Sequence, residues 1–251
     1  MQKILNFINY TKKEIDKCLK GHLSISNKPY KILIEAATYS VLSECKRLRP
    51  LLVIATAKSA GHENDNVMPL AIALEFIHTY SLIHDDLPCM DDDSFRRGKK
   101  TLHLAFSEDI AILTGDFLLT LAFEIISKAK NISDEKKIKL ISLLAKYSGG
   151  NELIAGQILD INFENKKISF EELKLMHLKK TASLFICAFE FGAIISDTSD
   201  KDRQILKEFG EKFGLIFQFV DDILDFSENS SDAIKNKATA ISILGIKNAK
   251  N

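Results

Sequence analysis

The chain has 251 residues, 46% of them hydrophobic and 27% charged, and its 34 basic side chains balance its 34 acidic ones. That length suffices to bury one sizeable core, and the neutral sum argues neither for nor against a nucleic-acid partner, so what matters is where charge concentrates. Four scattered cysteines (Cys18, Cys45, Cys89, Cys187) form no CxxC pair, which excludes a disulfide scaffold or a thiolate metal knuckle and reads as free thiols in a reducing cytosol.

The N-terminal stretch MQKILNFINYTKKEIDKCLK breaks its apolar pattern with charges too often for a signal peptide. No run reaches the roughly 18 unbroken apolar residues of a membrane span, so no membrane span and a cytoplasmic location are expected. Apolar residues recur at steps of three and four over Val67 to Leu82, through Leu70, Leu74, Ile77 and Leu82. The same period runs through Ala111 to Ile126, Lys136 to Tyr147, Leu173 to Phe191 and Ile205 to Leu224. Breaks are predicted at 21–29, 59–66, 97–100, 131–135, 162–169 and 196–202. Ser133 before Asp134-Glu135 and Ser169 before Glu171-Glu172 read as helix starts with acids in the first turn. Nothing reads as alternating strands. The expectation is an all-α fold, a single domain (1–251) of about eight to ten helices with no linker or repeat. Ala182 to Ile195 is apolar nearly all round and belongs either at the centre of a bundle or in a subunit interface.

Two acidic clusters end two of these apolar stretches. The first is Ile83-His84-Asp85-Asp86-Leu87-Pro88-Cys89-Met90-Asp91-Asp92-Asp93; the second is Phe219-Val220-Asp221-Asp222-Ile223-Leu224-Asp225. Desolvating a carboxylate costs several kcal/mol unless a cation meets it. Asp221 and Asp225, four apart, share one helix face. In the first cluster Asp85 and Asp91, six apart, lie on different faces of an ideal helix. Pro88 between them distorts the turn and opens two possibilities: a bulge that brings Asp85 and Asp91 together, or an aligned Asp85 and Asp92. Carboxylates suit Mg²⁺ or Mn²⁺ better than Zn²⁺. His84, alone at the end of an apolar helix, reads as a hydrogen-bonded core residue.

Basic groups lie close by in sequence. Ser94-Phe95-Arg96-Arg97-Gly98-Lys99-Lys100 follows the first cluster, Lys46-Arg47-Leu48-Arg49-Pro50 lies upstream, and Lys179-Lys180-Thr181 opens the apolar stretch after 170. Each alone is a solvated patch. Together with the aspartates they suit a diphosphate, metal on one side and guanidinium forks on the other.

SLIHDDLPCMDDDSFRRG (81–98), FQFVDDILD (217–225), KRLRP (46–50), GD (115–116), GQILD (156–160) and KTASLF (180–185) together resemble the trans-polyprenyl diphosphate synthases, in particular their bacterial farnesyl diphosphate synthase branch. The resemblance runs from about Tyr39 to Ala249. It implies a helical bundle around an apolar cavity and a homodimer. It implies that Asp85, Asp86, Asp91, Asp221, Asp222 and Asp225 bind about three Mg²⁺ around an allylic diphosphate. Arg96, Lys180, Thr181, Gln218 and Lys237 would touch the same diphosphate. Lys46, Arg49, His78 and Arg97 would hold isopentenyl diphosphate. Gln157 and Asp160 would face the cavity. Asp85, Asp86, Asp91, Arg96, Lys180 and Asp221 would carry catalysis, and Tyr80 with Ser81 would set a C15 product.

Two departures from the family pattern stand out. Glu44-Cys45 replaces a glycine pair before KRLRP, and the segment after Asp225 is short, so that a final helix or two are expected to be missing. Geranyl or geranylgeranyl diphosphate synthases share the chemistry. A terpene cyclase would replace the second aspartate motif, and a regulatory subunit would tend to lose both.

Overall fold

The computed structural model describes residues 2–24, 29–224 and 238–249. In chain order the helices are α1 (Gln2–His22), α2 (Lys31–Val41), α3 (Leu48–Ser59), α4 (Met68–Asp85), α5 (Leu102–Ala105), α6 (Glu108–Ser127), α7 (Asp134–Ser148), α8 (Leu153–Phe163), α9 (Phe170–His177), α10 (Ser183–Ile195), α11 (Asp200–Leu224) and α12 (Ala240–Ala249). The fold is all-α, as the periodicity requires. Among the described residues one hairpin interrupts it, β1 (Phe95–Arg96) against β2 (Lys99–Lys100), with arms of two residues that are too short to show alternation. All four cysteines are free thiols.

Contacts divide the chain into two compact units, Met1–Ile141 and Ser142–Asn251. The boundary falls inside the continuous helix α7, which is why no linker composition marks it. In the first unit α4 is the central element, with 11 of its 18 residues buried. A helix so apolar satisfies its backbone internally and is wrapped by neighbours on most sides; here α6, α3, α1 and α2 pack against it. Gly115 lets α6 come close, because a Cβ there would lie 2.0 Å from His84 Nε2. The spans Asp65–Asp85 and Glu108–Ser127 are long and apolar enough to cross a membrane by length and composition, although neither is an unbroken apolar run. In the first of them 67% of the relevant window is already buried in the protein.

In the second unit α10 is buried at nearly every position, from Ser183 to Ile195, so its all-round apolarity is used inside the chain. It packs on α11 through a phenylalanine ladder. Phe209, Phe213 and Phe217, four apart on α11, meet Phe185 and Phe189, four apart on α10, at centroid distances of 5.1 to 6.0 Å. Gly210 and Gly214 permit this approach: Cβ atoms there would sit 2.9 Å from Ile186 Cα and 2.4 Å from Ala182 Cα. The Leu173 to Phe191 stretch is continuous but not uniform, because α9 passes into a π-helical turn at Leu178–Ala182 before α10. The start predicted at Ser169 is a capping box, Ser169 accepting from the Glu172 amide while Glu172 accepts from Ser169. Helix α12 joins the core through Ala240, which packs with Leu173 and Met176.

Candidate functional site

The first acidic cluster lies in the Met1–Ile141 unit, where α4 runs out. Asp85 is the last helical residue, and Pro88 cannot continue the ladder. The chain folds back instead. Met90 N–H donates to Leu87 C=O at 2.9 Å, Asp92 N–H to the same carbonyl at 3.0 Å, and Asp91 N–H to Asp85 C=O at 2.9 Å. Asp92 takes a left-handed φ of 49° in this turn, which Asp tolerates better than most residues. So no bulge within a helix is needed: a loop closes Asp91 onto the Asp85 backbone, while Asp92 is exposed. His84 is hydrogen-bonded, its Nε2 3.1 Å from Ile112 O.

Asp86 plays a different part from Asp85. It is 4% exposed, and its Oδ1 accepts from both Nε (2.9 Å) and Nη2 (2.6 Å) of Arg96. Arg96 Nη2 also reaches Asp93 Oδ2 at 3.1 Å. Burial pushes the Asp86 carboxyl above the usual range, with Arg96 pulling the other way. Burial opposes the charge of Arg96 as well, but Asp86 and Asp93 outweigh it and hold its pKa above the ordinary arginine value. Oδ1 of Asp86 is thus engaged by Arg96.

The two arginines of KRLRP separate completely. Arg47 is 3% exposed and donates to Glu75 (2.7 Å), Asp16 (2.8 Å) and the Val41 carbonyl (2.6 Å). Burial works against its charge, yet Glu75 outweighs it and raises its pKa. Its backbone is left-handed, φ 52°. Cys45, where the family has glycine, directs its thiol at Glu75 Oε1 at 3.7 Å and so joins the same buried group. Arg49, two residues on, donates from Nη1 to His78 Nε2 at 3.2 Å. A guanidinium has no acceptor, so His78 accepts at Nε2 and carries its proton on Nδ1. Burial first, then Arg49, Arg97, Arg96 and Arg47, push this imidazole well below its usual pKa, and it is neutral at pH 7. Lys46 is exposed before α3. Arg97 sits at the tip of the β1–β2 hairpin, where φ of 53° at Arg97 and 75° at Gly98 make the two-residue turn that suits a twisted ribbon. Tyr80 is 7% exposed, its ring edge-on to His84 at 5.8 Å, and Ser81 Oγ bonds its own helix at the His78 carbonyl.

The second group lies in the Ser142–Asn251 unit. The π turn carries Lys180 and Thr181; such turns recur at functional sites because they redirect side chains out of helical register. Lys180 Nζ meets Asp160 Oδ2 at 2.6 Å, with Asp160 6% exposed. The backbone of Lys180 comes so near α8 that a Cβ on Gly156 would lie 2.1 Å from its nitrogen, which accounts for the glycine of GQILD. Gln157 follows it on α8, half-buried. Thr181 Oγ1 donates to Gln218 Oε1 at 2.6 Å, and Gln218 Nε2 donates to Asp222 Oδ1 at 2.8 Å. Asp222 Oδ2 accepts from the Ala240 amide at 2.7 Å and stands 3.4 Å from His177 Nε2. Asp222 thus meets an orphan donor at the start of α12, while Asp221 is half-buried on the same last turn of α11. Asp225 and Lys237 lie outside the described residues.

Among the described residues no three His, Cys, Asp or Glu side chains are gathered as a ready metal cluster. Glu75 belongs to no motif of the sequence, though a lone acid within the apolar run of α4 announces a buried partner. Tyr39, whose hydroxyl meets the hairpin, is marked by no local pattern at all.

A family model described as polyprenyl synthetase matches residues 30–251. A protein of Haemophilus influenzae named farnesyl diphosphate synthase is 45% identical, over 87% of this chain and 77% of its own length. An Arabidopsis thaliana protein named as the large subunit of a heterodimeric geranylgeranyl pyrophosphate synthase is 41% identical, over 98% of this chain and 70% of its own length. Among solved structures, a Helicobacter pylori geranyltransferase complexed with magnesium and isoprenyl diphosphate superposes with a TM-score of 0.87 at 35% identity, over 98% of this chain and 86% of that one.

Proposed function

The chain belongs to the polyprenyl synthetase family and is a prenyltransferase, and on that premise we propose that it condenses isopentenyl diphosphate with dimethylallyl and geranyl diphosphates to farnesyl diphosphate. The observation that carries the reading is the loop in which the Asp91 amide closes onto Asp85 while Arg96, at the base of the Arg97 hairpin, is tied to Asp86. Acid and base are held together there, as a substrate of metal-bound diphosphate requires.

Lys46, Arg49, His78 and Arg97 would hold isopentenyl diphosphate. A neutral His78 leaves the charge pairing to the three cations and fixes the orientation of Arg49. Lys180, Thr181 and Gln218, together with Asp85, Asp91 and Asp221, would serve the allylic diphosphate. Asp160 and Gln218 set Lys180 and Thr181 in place beforehand, so little reorganisation is needed as charge develops. The donors suit Mg²⁺: they are carboxylates, the neighbouring imidazole of His84 is engaged by Ile112, and Mg²⁺ takes only one or two protein carboxylates, filling its shell with water and phosphate. Asp85 and Asp91 in the first motif and Asp221 in the second would hold Mg²⁺, and the chemistry it would supply is neutralisation of the departing diphosphate. The bond from C1 of the allylic substrate to oxygen breaks, the isopentenyl alkene attacks C1, and a proton is lost to the released diphosphate. No side-chain nucleophile takes part. Asp86 and Asp222 would support the site by holding Arg96 and α12.

The C15 product rests on Tyr80, which lies five residues before Asp85, about 7.5 Å back along the helix axis. The test is turnover of purified protein with labelled isopentenyl diphosphate and each allylic primer, with and without Mg²⁺. Magnesium-dependent C15 product is expected, and Tyr80→Ala should lengthen it. No product from any primer would overturn the reading. Extension of farnesyl diphosphate to C20 by the wild type would transfer it to a geranylgeranyl diphosphate synthase. The same reading carries a homodimer, which light scattering tests as twice the chain mass of 28.2 kDa.

A further inference from the structure

Arg97 is presented by a ribbon that cannot hold itself. Its arms are two residues long, and an isolated hairpin is marginal in water even when much longer. Four cationic side chains, Arg96, Arg97, Lys99 and Lys100, are crowded onto six residues and repel one another. The first arm is tied down by Arg96 to Asp86 and Asp93. At the far end of the second arm Thr101 Oγ1 donates to the Asp93 carbonyl at 2.7 Å. Between these anchors, Tyr39 of α2 reaches the second arm across 61 positions of sequence, its hydroxyl donating to the Lys100 carbonyl at 2.9 Å. Lys99 Nζ lies over the same ring, 5.2 Å from its centroid. The ring itself is held edge-on by Phe106 at 5.7 Å. A small cavity of about 30 Å³ remains where Tyr39, Ser43 and Thr79 meet Arg96 and Arg97.

We propose that Tyr39 is a positioning residue for Arg97: it fixes the second arm of the hairpin, and through it the guanidinium offered to isopentenyl diphosphate. The substrate named here rests on the function proposed above; the mechanical part does not. A phenol suits the task because its hydrogen bond to a carbonyl is neutral and does not weaken when the cations around it bind an anion. A Lys or Arg in its place would add to the repulsion.

The test is Tyr39→Phe, which keeps the ring and its contact with Phe106 and removes only the hydroxyl. The KM for isopentenyl diphosphate should rise about five- to tenfold, the worth of one hydrogen bond, while the allylic KM and kcat stay within about twofold. In an Arg97→Ala background the same change should have no further effect on that KM, because the residue it acts through is gone. Amide exchange at Gly98 to Lys100 should quicken in Tyr39→Phe whatever the substrate. Unchanged exchange there overturns the proposal. So does a Tyr39→Phe penalty that is equally large with and without Arg97, or one that falls alike on both substrates. If exchange quickens but wild-type protein does not use isopentenyl diphosphate, the hairpin role stands and the substrate assignment falls.

Discussion

Arg47 and Arg49 are chemically identical and two residues apart, yet one is buried in the core and the other is half-buried against His78. Arg47 fills a left-handed backbone position and ends on Glu75, which is 1% exposed in the middle of α4. Removing it strands that carboxylate in the core, so Arg47→Ala should lose about 3–5 kcal/mol of stability in urea unfolding, the cost typical of breaking a buried pair. Arg49→Ala should stay within about 1 kcal/mol of wild type and raise the KM for isopentenyl diphosphate at least about tenfold, the loss of a charge-assisted bond. Equal stability losses would show that both arginines are structural. His78 adds a pH dependence. Its folded pKa lies well below its unfolded value of about 6.5. The unfolded chain therefore binds the extra proton, and the stability contributed by the neutral imidazole is fully present above about pH 6.5 and lost as pH falls toward the folded value. Melting temperature should fall more steeply between pH 7 and 5.5 in wild type than in His78→Gln; parallel slopes would count against a histidine held neutral in the fold.

Helices here are placed by their apolar period but docked by glycines. Val67 to Leu82 and Ile205 to Leu224 read as helices from their spacing, and α4 and α11 follow them closely. How near two helices come is another matter. Gly156 meets the backbone of Lys180 and Lys179 rather than the end of a flexible side chain. Gly156→Ala must therefore displace α8 or the π turn, with a loss of about 1–3 kcal/mol or more by overpacking. Because that turn carries Lys180 and Thr181, kcat should fall further than the stability loss explains. A Gly156→Ala variant with wild-type turnover and unfolding would show that the crossing is looser than the structure has it. The π turn itself was not legible in KTASLF: the stretch that follows is apolar nearly all round, so a shift of register there leaves no visible break in the pattern. Asp222 carries the same lesson, since its capping of α12 depends on an amide 18 residues away.

At the scale of the molecule, each acidic motif is proposed to hold metal for a diphosphate substrate. Asp85→Asn and Asp221→Asn should each lower kcat by about a hundredfold or more, in the range of lost electrostatic stabilisation. Residues that act as a unit fail together, so the double variant should be little worse than the poorer single one. Losses that multiply across the double variant would mean that the motifs act on separate steps.

From the sequence alone came the helical class, most helix limits, and both acid-rich motifs with their basic companions, because periodicity and spacing act over a few residues and are written locally. Tertiary structure alone decided which partner each polar group meets: Arg47 on Glu75, Arg49 on His78, Asp86 on Arg96, Asp222 at the start of α12, Tyr39 on the hairpin. The physical reason is that a charged group's role is set by how far it is desolvated and which partner meets it. Both depend on segments distant in sequence: 28 residues for Arg47 and Glu75, 61 for Tyr39 and Lys100.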